Sequence, residues 1–310
     1  MGLRPLAPLL GVAALLFASC ACALGDEPDL AFGAYQRGRY RAAFDQAVKR
    51  IDKDPTDGAA MALLGQLTAS GLGVAPDLKK AADWFALASA RGDANATYAL
   101  AMMAMKGEGV PKDPARAKAL LGQAAKAGQP SATYNLGLLD LGEGADENIA
   151  RGVNLVRKAA DAGVPEAEYA LATLLRDGRG VAPDPVAAAQ LMSRAARDFY
   201  EPAEIEYAIM LFNGNGIIKD EAGAARIFQR AAARGNPIAQ NRLARLYVAG
   251  RGVPADLVEA AAWNMLAKHA GRSDPWLDSA SENLSPEQRQ KALGLVRKRL
   301  TAFQLGITSP

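Results

Sequence analysis

Side chains able to carry chemistry are few in this 310-residue chain. Its single histidine, His269, stands just before Ala270 and Gly271. As a general base it would need a nucleophile and an orienting carboxylate, and as a zinc ligand it would need cysteine or histidine partners at ligand spacing. The sequence offers neither set, whereas a histidine at the C-terminal end of a helix is favoured by the helix dipole. The two cysteines, Cys20 and Cys22, both fall near the start of the chain. No serine stands in a Ser-x-x-Lys or Gly-x-Ser-x-Gly setting. Paired glycines could suggest a phosphate-binding loop, but they lack a third glycine or a Walker lysine, follow no strand, and recur six times. Asp77, Asp113, Asp184, Asp220 and Asp256 recur in step with them. A calcium ladder would need further oxygen ligands beside each aspartate, and none is there. No catalytic residue, metal or cofactor is expected.

The spacing of these residues is informative because it is periodic. Gly-x-Gly occurs at 71/73, 107/109, 142/144, 178/180, 214/216 and 250/252, in steps of 36, 35, 36, 36 and 36. Alanines at 60, 96, 132, 167, 203 and 239 recur with the same period, in steps of 36, 36, 35, 36 and 36, so the register is fixed at two independent points. A period in this range marks a repeated supersecondary unit. From Ala96 the segment Ala-Thr-Tyr-Ala-Leu-Ala-Met-Met-Ala-Met places apolar residues at helical spacing. The small residue after Leu100 has equivalents at Gly65, Gly137, Ala172, Ala208 and Ala244, where two helices can approach closely. The first glycine of each pair ends that helix by reaching positive φ without a Cβ clash. Each repeated aspartate, with Asn148 at its place in repeat three, is predicted to cap a second helix. On that helix a large apolar residue (Trp84, Leu120, Leu155, Leu191, Ile227, Trp263) is followed four places later by alanine, which makes one face. Glycine closes the second helix at 92, 128, 163, 235 and 271, but repeat four has Phe199, where Phe199-Tyr200 is expected to bend or bulk the stack.

The order Ala-x-x-x-Leu-Gly/Ala, Gly-x-Gly-Val, Asp, Ala, Trp or Leu, Ala-Ala and Gly resembles the Sel1-like repeat family, relatives of the tetratricopeptide repeats. The resemblance covers about Ala59 to Arg272 in six in-phase copies. Repeat three departs by a one-residue deletion before Gly142 and lacks the valine after Gly144, so its turn is expected to differ. Repeat five carries Ile217 for the valine and Tyr207 for the first-helix leucine. The resemblance implies an all-α, right-handed α-solenoid of helix-turn-helix units. It also implies an adaptor role, since Sel1-like proteins typically hold other proteins and several bacterial ones work in the cell envelope.

The ends of the chain differ from the middle. Met1 to Arg4 carries one positive charge, an apolar stretch follows from Leu6 to Ala18, and Ala21 and Ala23 suit signal-peptidase cleavage before Leu24. The apolar stretch is shorter than the roughly 20 residues of a membrane span. Residues 1–23 are therefore read as a signal peptide and the mature protein as periplasmic, with a lipobox ending at lipidated Cys20 as the rival reading. Cleavage removes both cysteines, so the fold must be held by buried helix faces without disulfides. Residues 24–58 are read as an N-terminal capping helix pair, 59–273 as six repeats, and 274–310 as C-terminal capping helices and tail. Ser285, Pro286 and Gln288 form a helix start in which the serine caps and the glutamine reaches back.

With the glycines, aspartates and large apolar residues assigned to scaffold, the surface remains. A stack of helix pairs presents an extended concave face lined by first helices, which solenoids use for extended partners. Asn135, Glu206 and Arg242 share one first-helix position, Arg245 lies one turn beyond Arg242, and Tyr98, Tyr134 and Asn241 share the adjoining position. These seven residues are the candidates for partner contact, although tyrosines at regular helical positions also suit packing between repeats. The same ambiguity applies to Met102, Met103 and Met105. With 36 basic against 33 acidic residues and no run of five like charges, no stripe for nucleic acid exists. The chain is read as a monomeric, non-enzymatic scaffold for a protein or peptide. The alternatives are a regulator of a membrane sensor kinase and, on family resemblance alone, a β-lactam-binding or β-lactam-hydrolysing enzyme.

Overall fold

The computed structural model describes residues 29–304, so the expected signal peptide at 1–23, the lipobox reading of Cys20 and the last six residues lie outside the described residues. Sixteen helices account for the regular structure among the described residues. A short pair, α1 (Leu30–Gln36) and α2 (Tyr40–Lys53), precedes the repeats. The repeat pairs are α3 (Gly58–Ser70) and α4 (Leu78–Ala90), α5 (Ala94–Lys106) and α6 (Pro114–Lys126), then α7 (Pro130–Glu143) and α8 (Asp146–Asp161). They continue as α9 (Pro165–Asp177) and α10 (Pro185–Arg197), α11 (Glu201–Asn213) and α12 (Glu221–Ala233), and α13 (Pro237–Ala249) and α14 (Leu257–His269). Two further helices close the chain, α15 (Pro275–Glu282) and α16 (Pro286–Gln304). The helices gather into two compact units, one up to Leu136 and one from Gly137 on, with the boundary inside α7.

In the first unit each helix from α1 to α6 packs on the next. Small residues set the spacing: Ala31, Ala43, Ala47 and Ala60 are buried, and Leu64 and Leu67 fill the space between them. A Cβ on Gly65 would come within 2.7 Å of the Phe85 ring, so glycine is what lets α3 and α4 touch there. In the second unit the chain of neighbours runs from α8 to α14, after which α15 and α16 both pack on α14. Leu171, Met192, Ala208, Leu243 and Ala244 are buried in its core. Helix pairs stand at both ends of the repeats, and before α16 Ser285 N–H donates to Gln288 Oε1 (2.8 Å) while Gln288 N–H donates to Ser285 Oγ (3.2 Å).

The repeated aspartate performs two tasks. The Asp220 carboxylate accepts the Gly223 N–H at 2.7 Å and so caps α12, while its own backbone N–H donates to the Leu211 carbonyl at 2.9 Å and pins the turn to α11. Asp77, Asp113, Asp184 and Asp256 repeat both bonds. The two glycines also differ in role. Gly214 (φ 79°) is the left-handed cap of α11. Gly216 (φ 70°) is held by close approach, since a Cβ there would overlap the Pro185 carbonyl at the start of the preceding repeat's second helix. Gly109 meets Leu78 and Gly252 meets Glu221 in the same way.

Three sequence expectations are corrected. Asn148 does not cap α8: the helix begins earlier, Ala145 is its N-cap residue without a side-chain bond, and Asn148 lies in the first turn, bonded to Glu143 and Arg151. The one-residue deletion shortens this turn, Gly142 stays inside α7, and Asp146 and Glu147 supply the negative charge that the helix N-terminus favours. The deepest seat on the second helix lies one residue beyond the expected one, at Phe85, Leu121, Val156, Met192 and Phe228, whereas Trp84, Leu120, Leu155, Leu191 and Ile227 are half-buried. At Phe199 the chain takes the same left-handed turn that glycine takes in the other repeats (φ 58°), so the turn is preserved with an aromatic ring left 74% exposed.

Candidate partner-binding surface

The first helices carry a buried polar position that the periodicity did not single out, one residue after the repeated alanine. It is occupied by Thr97, Thr133, Glu168, Glu204 and Gln240 in repeats two to six. Thr97 and Gln240 reach the preceding repeat directly, Glu168 does so through Arg194, and Glu204 joins the two helices of its own repeat. Thr97 meets Ser89 at 2.8 Å, and Gln240 Nε2 donates to the Ala232 carbonyl at 3.3 Å. Glu168 pairs with Arg194 at 2.5 Å, and Arg194 in turn donates to the Ala160 carbonyl at 3.0 Å. Glu204 accepts from both Arg230 and Arg234. Burial raises the Glu168 carboxyl above its ordinary range, with Arg194 opposing the shift but not cancelling it. The sequence signal is a glutamate recurring one period apart, at 168 and 204, on an otherwise apolar helix.

The seven nominated residues separate into groups. In the first unit, Asn135 on α7 donates to the Tyr98 hydroxyl on α5 at 3.2 Å and to the Ser131 carbonyl at 2.8 Å. That bond between adjacent first helices accounts for both residues by repeat-to-repeat packing, and Tyr134 is half-buried beside them in sequence. In the second unit, Glu206 on α11 pairs with Arg176 of α9 at 3.3 Å.

Asn241, Arg242 and Arg245, all on α13, come together at the C-terminal junction. Asp274, buried at the N-terminus of α15, accepts Asn241 Nδ2 at 2.8 Å and both Nε (2.7 Å) and an Nη (2.9 Å) of Arg245. Burial pushes the Asp274 carboxyl up, but the bonds from Asn241 and Arg245 outweigh it and the net shift is downward. These two breaks in the apolar pattern therefore dock the cap. At the deepest seat of α14 the array likewise switches from apolar to polar, because Asn264 donates to Asp278 of α15 at 2.9 Å. The Arg299 guanidinium of α16 stacks 3.9 Å over the Trp263 ring and pairs with Glu259 at 2.6 Å.

Around Asp274 lies an open cleft of about 410 Å³ bordered by Arg242, Arg245 and Arg272. A second cleft of about 340 Å³ shares Arg242 and Arg245 and is walled by Ile209, Phe212 and Trp276. Trp276 is 48% exposed. The Arg245 guanidinium stands 5.0 Å from the Trp276 ring centroid and that of Arg251 4.1 Å from Phe212. His269 ends α14 and is exposed, at the helix terminus the sequence assigned to it. No group of three or more His, Cys, Asp or Glu side chains among the described residues could hold a metal ion. No helix among the described residues is long and apolar enough to cross a membrane.

The comparisons with known proteins agree with this architecture. The family model described as Sel1 repeat matches residues 58–93, 94–129, 130–164, 165–198, 202–236 and 237–263. The solved structure of a Sel1 repeat protein from Oxalobacter formigenes is similar with a TM-score of 0.68 and 27% identity, covering 77% of this chain and 98% of that one. A protective antigen from uropathogenic Escherichia coli strains, displaying an SLR fold, is similar with a TM-score of 0.53 and 23% identity over 90% of this chain and 68% of that one, a likeness of fold alone. No curated protein matches the chain. The six matches coincide with the six helix pairs from α3 to α14, and the chain belongs to the Sel1-repeat proteins, a family of all-α solenoids that generally mediate protein–protein interaction.

Proposed function

We propose that this protein is a non-enzymatic scaffold of the periplasm that binds a protein or peptide partner along the first helices of its repeats. The observation that carries the reading is the array itself: six units of a family that generally mediates protein–protein interaction, with polar residues breaking the apolar pattern on α11 and α13. A solenoid places such residues on successive helices at a fixed spacing, which suits a partner segment that touches several repeats at once. The positively charged start, the apolar stretch and the small residues before Leu24 support export.

The test is capture in the native compartment. The protein, expressed with a C-terminal tag in a Gram-negative host, is cross-linked in intact cells, and the periplasmic and membrane fractions are compared. The expected result is a soluble periplasmic species starting near Leu24 that is cross-linked to a defined protein. A product retained in the cytoplasm sinks the assignment of compartment, retention in the membrane that Cys20→Ser abolishes selects the lipoprotein, and absence of any cross-linked species sinks the scaffold reading.

A further inference from the structure

The charges around the C-terminal clefts of the second unit do not balance. Asp274 is held by Arg245 and Asn241, Glu221 by Arg251 (2.6 Å) and Lys219 (2.8 Å), and Glu206 by Arg176. Arg242 and Arg272 border the first cleft, and their side chains have no hydrogen-bond or ion-pair partner among the described residues. Arg242 also borders the second cleft, whose walls are the half-buried Phe212 and Ile209 and the exposed indole of Trp276. One unpaired guanidinium, Arg242, thus stands beside the apolar recess and another, Arg272, in the adjoining cleft, with Arg242 and Arg245 common to both clefts. Both clefts are open and shallow, unlike the enclosed cavity that buries a small molecule, and better suited to a chain lying across them.

From this arrangement we infer that the C-terminal end of the second unit binds an extended peptide segment bearing one or two carboxylates next to a bulky apolar side chain. The carboxylates pair with Arg242 and Arg272, and the apolar side chain enters the recess against Trp276 and Phe212. Guanidinium forks match carboxylates in bidentate fashion, and burying an aromatic or branched side chain on an indole adds the apolar contribution that a surface ion pair lacks. Asn241 and Arg245 act as positioning residues, since they hold Asp274 and with it the start of α15 and Trp276. The inference rests on the scaffold reading above and specifies the chemistry of its partner.

The experiment titrates the purified protein with three synthetic peptides while following tryptophan fluorescence: Gly-Glu-Asp-Phe-Leu-Gly, Gly-Lys-Lys-Phe-Leu-Gly and Gly-Glu-Asp-Ala-Ala-Gly. The acidic, apolar peptide is expected to shift the emission and to bind about tenfold more tightly than either control, with the preference shrinking as salt is raised. Arg242→Glu with Arg272→Glu, both exposed and outside the core, should weaken that peptide by about tenfold or more while leaving the thermal melt unchanged. Trp276→Phe should abolish the emission shift. Equal binding of acidic and basic peptides, an unaffected double variant, or a shift that survives Trp276→Phe would each overturn the inference. If the double variant still cross-links its cellular partner at the wild-type level, the scaffold reading stands and this site is wrong. If the wild type cross-links nothing yet prefers the acidic peptide, the site stands and the scaffold reading fails.

Discussion

Asp274 shows how a single side chain can join two parts of the molecule. Its carboxylate holds α13 through Asn241 and Arg245, and Oδ1 also faces the Leu277 N–H of α15. Replacing it by Asn keeps the shape but removes the charge that Arg245 grips on both sides. We expect Asp274→Asn to cost roughly 1–3 kcal/mol, measured by urea denaturation, with hydrogen exchange rising first in α15. Phe199 predicts the opposite sign. A non-glycine residue in the left-handed region is strained, by about 1–2 kcal/mol, and its ring is mostly exposed. Phe199→Gly relieves that strain at a smaller entropic cost, so the melting midpoint should rise, by up to about 1 kcal/mol in stability. A fall would show that the ring packs where the exposure says it does not.

Among the elements, helix boundaries were the most legible part of the sequence. Aspartate caps and glycine ends are local signals, fixed by hydrogen bonds a few residues apart, and they placed α4, α6, α10, α12 and α14 correctly. The deep seat at Phe85 and Phe228 was less legible, because two adjacent apolar residues on a helix differ by only 100° and the packing partner decides which turns inward. Asn241 and Arg245 are ambiguous in sequence for a related reason. Both break the apolar pattern, but what they face is α15, which carries no repeat signature of its own. The second glycine carries no such local signal, because its neighbour, Pro185 for Gly216, is distant in the chain. Gly216→Ala should therefore cost more than a simple turn substitution, about 2–3 kcal/mol, because the added methyl meets the Pro185 backbone instead of a side chain that can yield. Differential scanning calorimetry of this variant beside Gly235→Ala, whose Cβ would meet nothing, isolates the contact from the positive φ common to both.

For the whole molecule, six in-phase copies made the fold class readable before any contact was known, since each unit needs a neighbour to cover its apolar faces. The partner surface was not readable in the same way, because periodicity identifies scaffold and leaves only the exceptions as candidates. Acid provides a global test. The bond from Arg251, with help from Lys219, holds the Glu221 carboxyl at about 2, below its ordinary 4.5. A carboxyl lowered by folding stabilises the native state above its unfolded value and loses that contribution as pH falls through the folded one. Melting midpoints should thus decline between pH 4.5 and about 2, and Glu221→Gln should flatten that part of the profile. An unchanged slope in the variant would mean that this link between α12 and the turn from α13 to α14 adds nothing to stability.

The contact of Gly216 with the carbonyl of Pro185 also governs how such a protein can change length. The turns of repeats two, five and six each engage the start of the preceding repeat's second helix, as one thread of a screw engages the next. A duplication of one complete period preserves the thread on both sides, whereas an insertion of two or three residues between Gly214 and Asp220 would cross it. Repeat three, one residue short, keeps its place by drawing α7 past Gly142 and starting α8 at Asp146, so its deviation is absorbed within a single turn. Growth by whole units, with small corrections hidden inside a turn, is the mode of variation that this geometry permits.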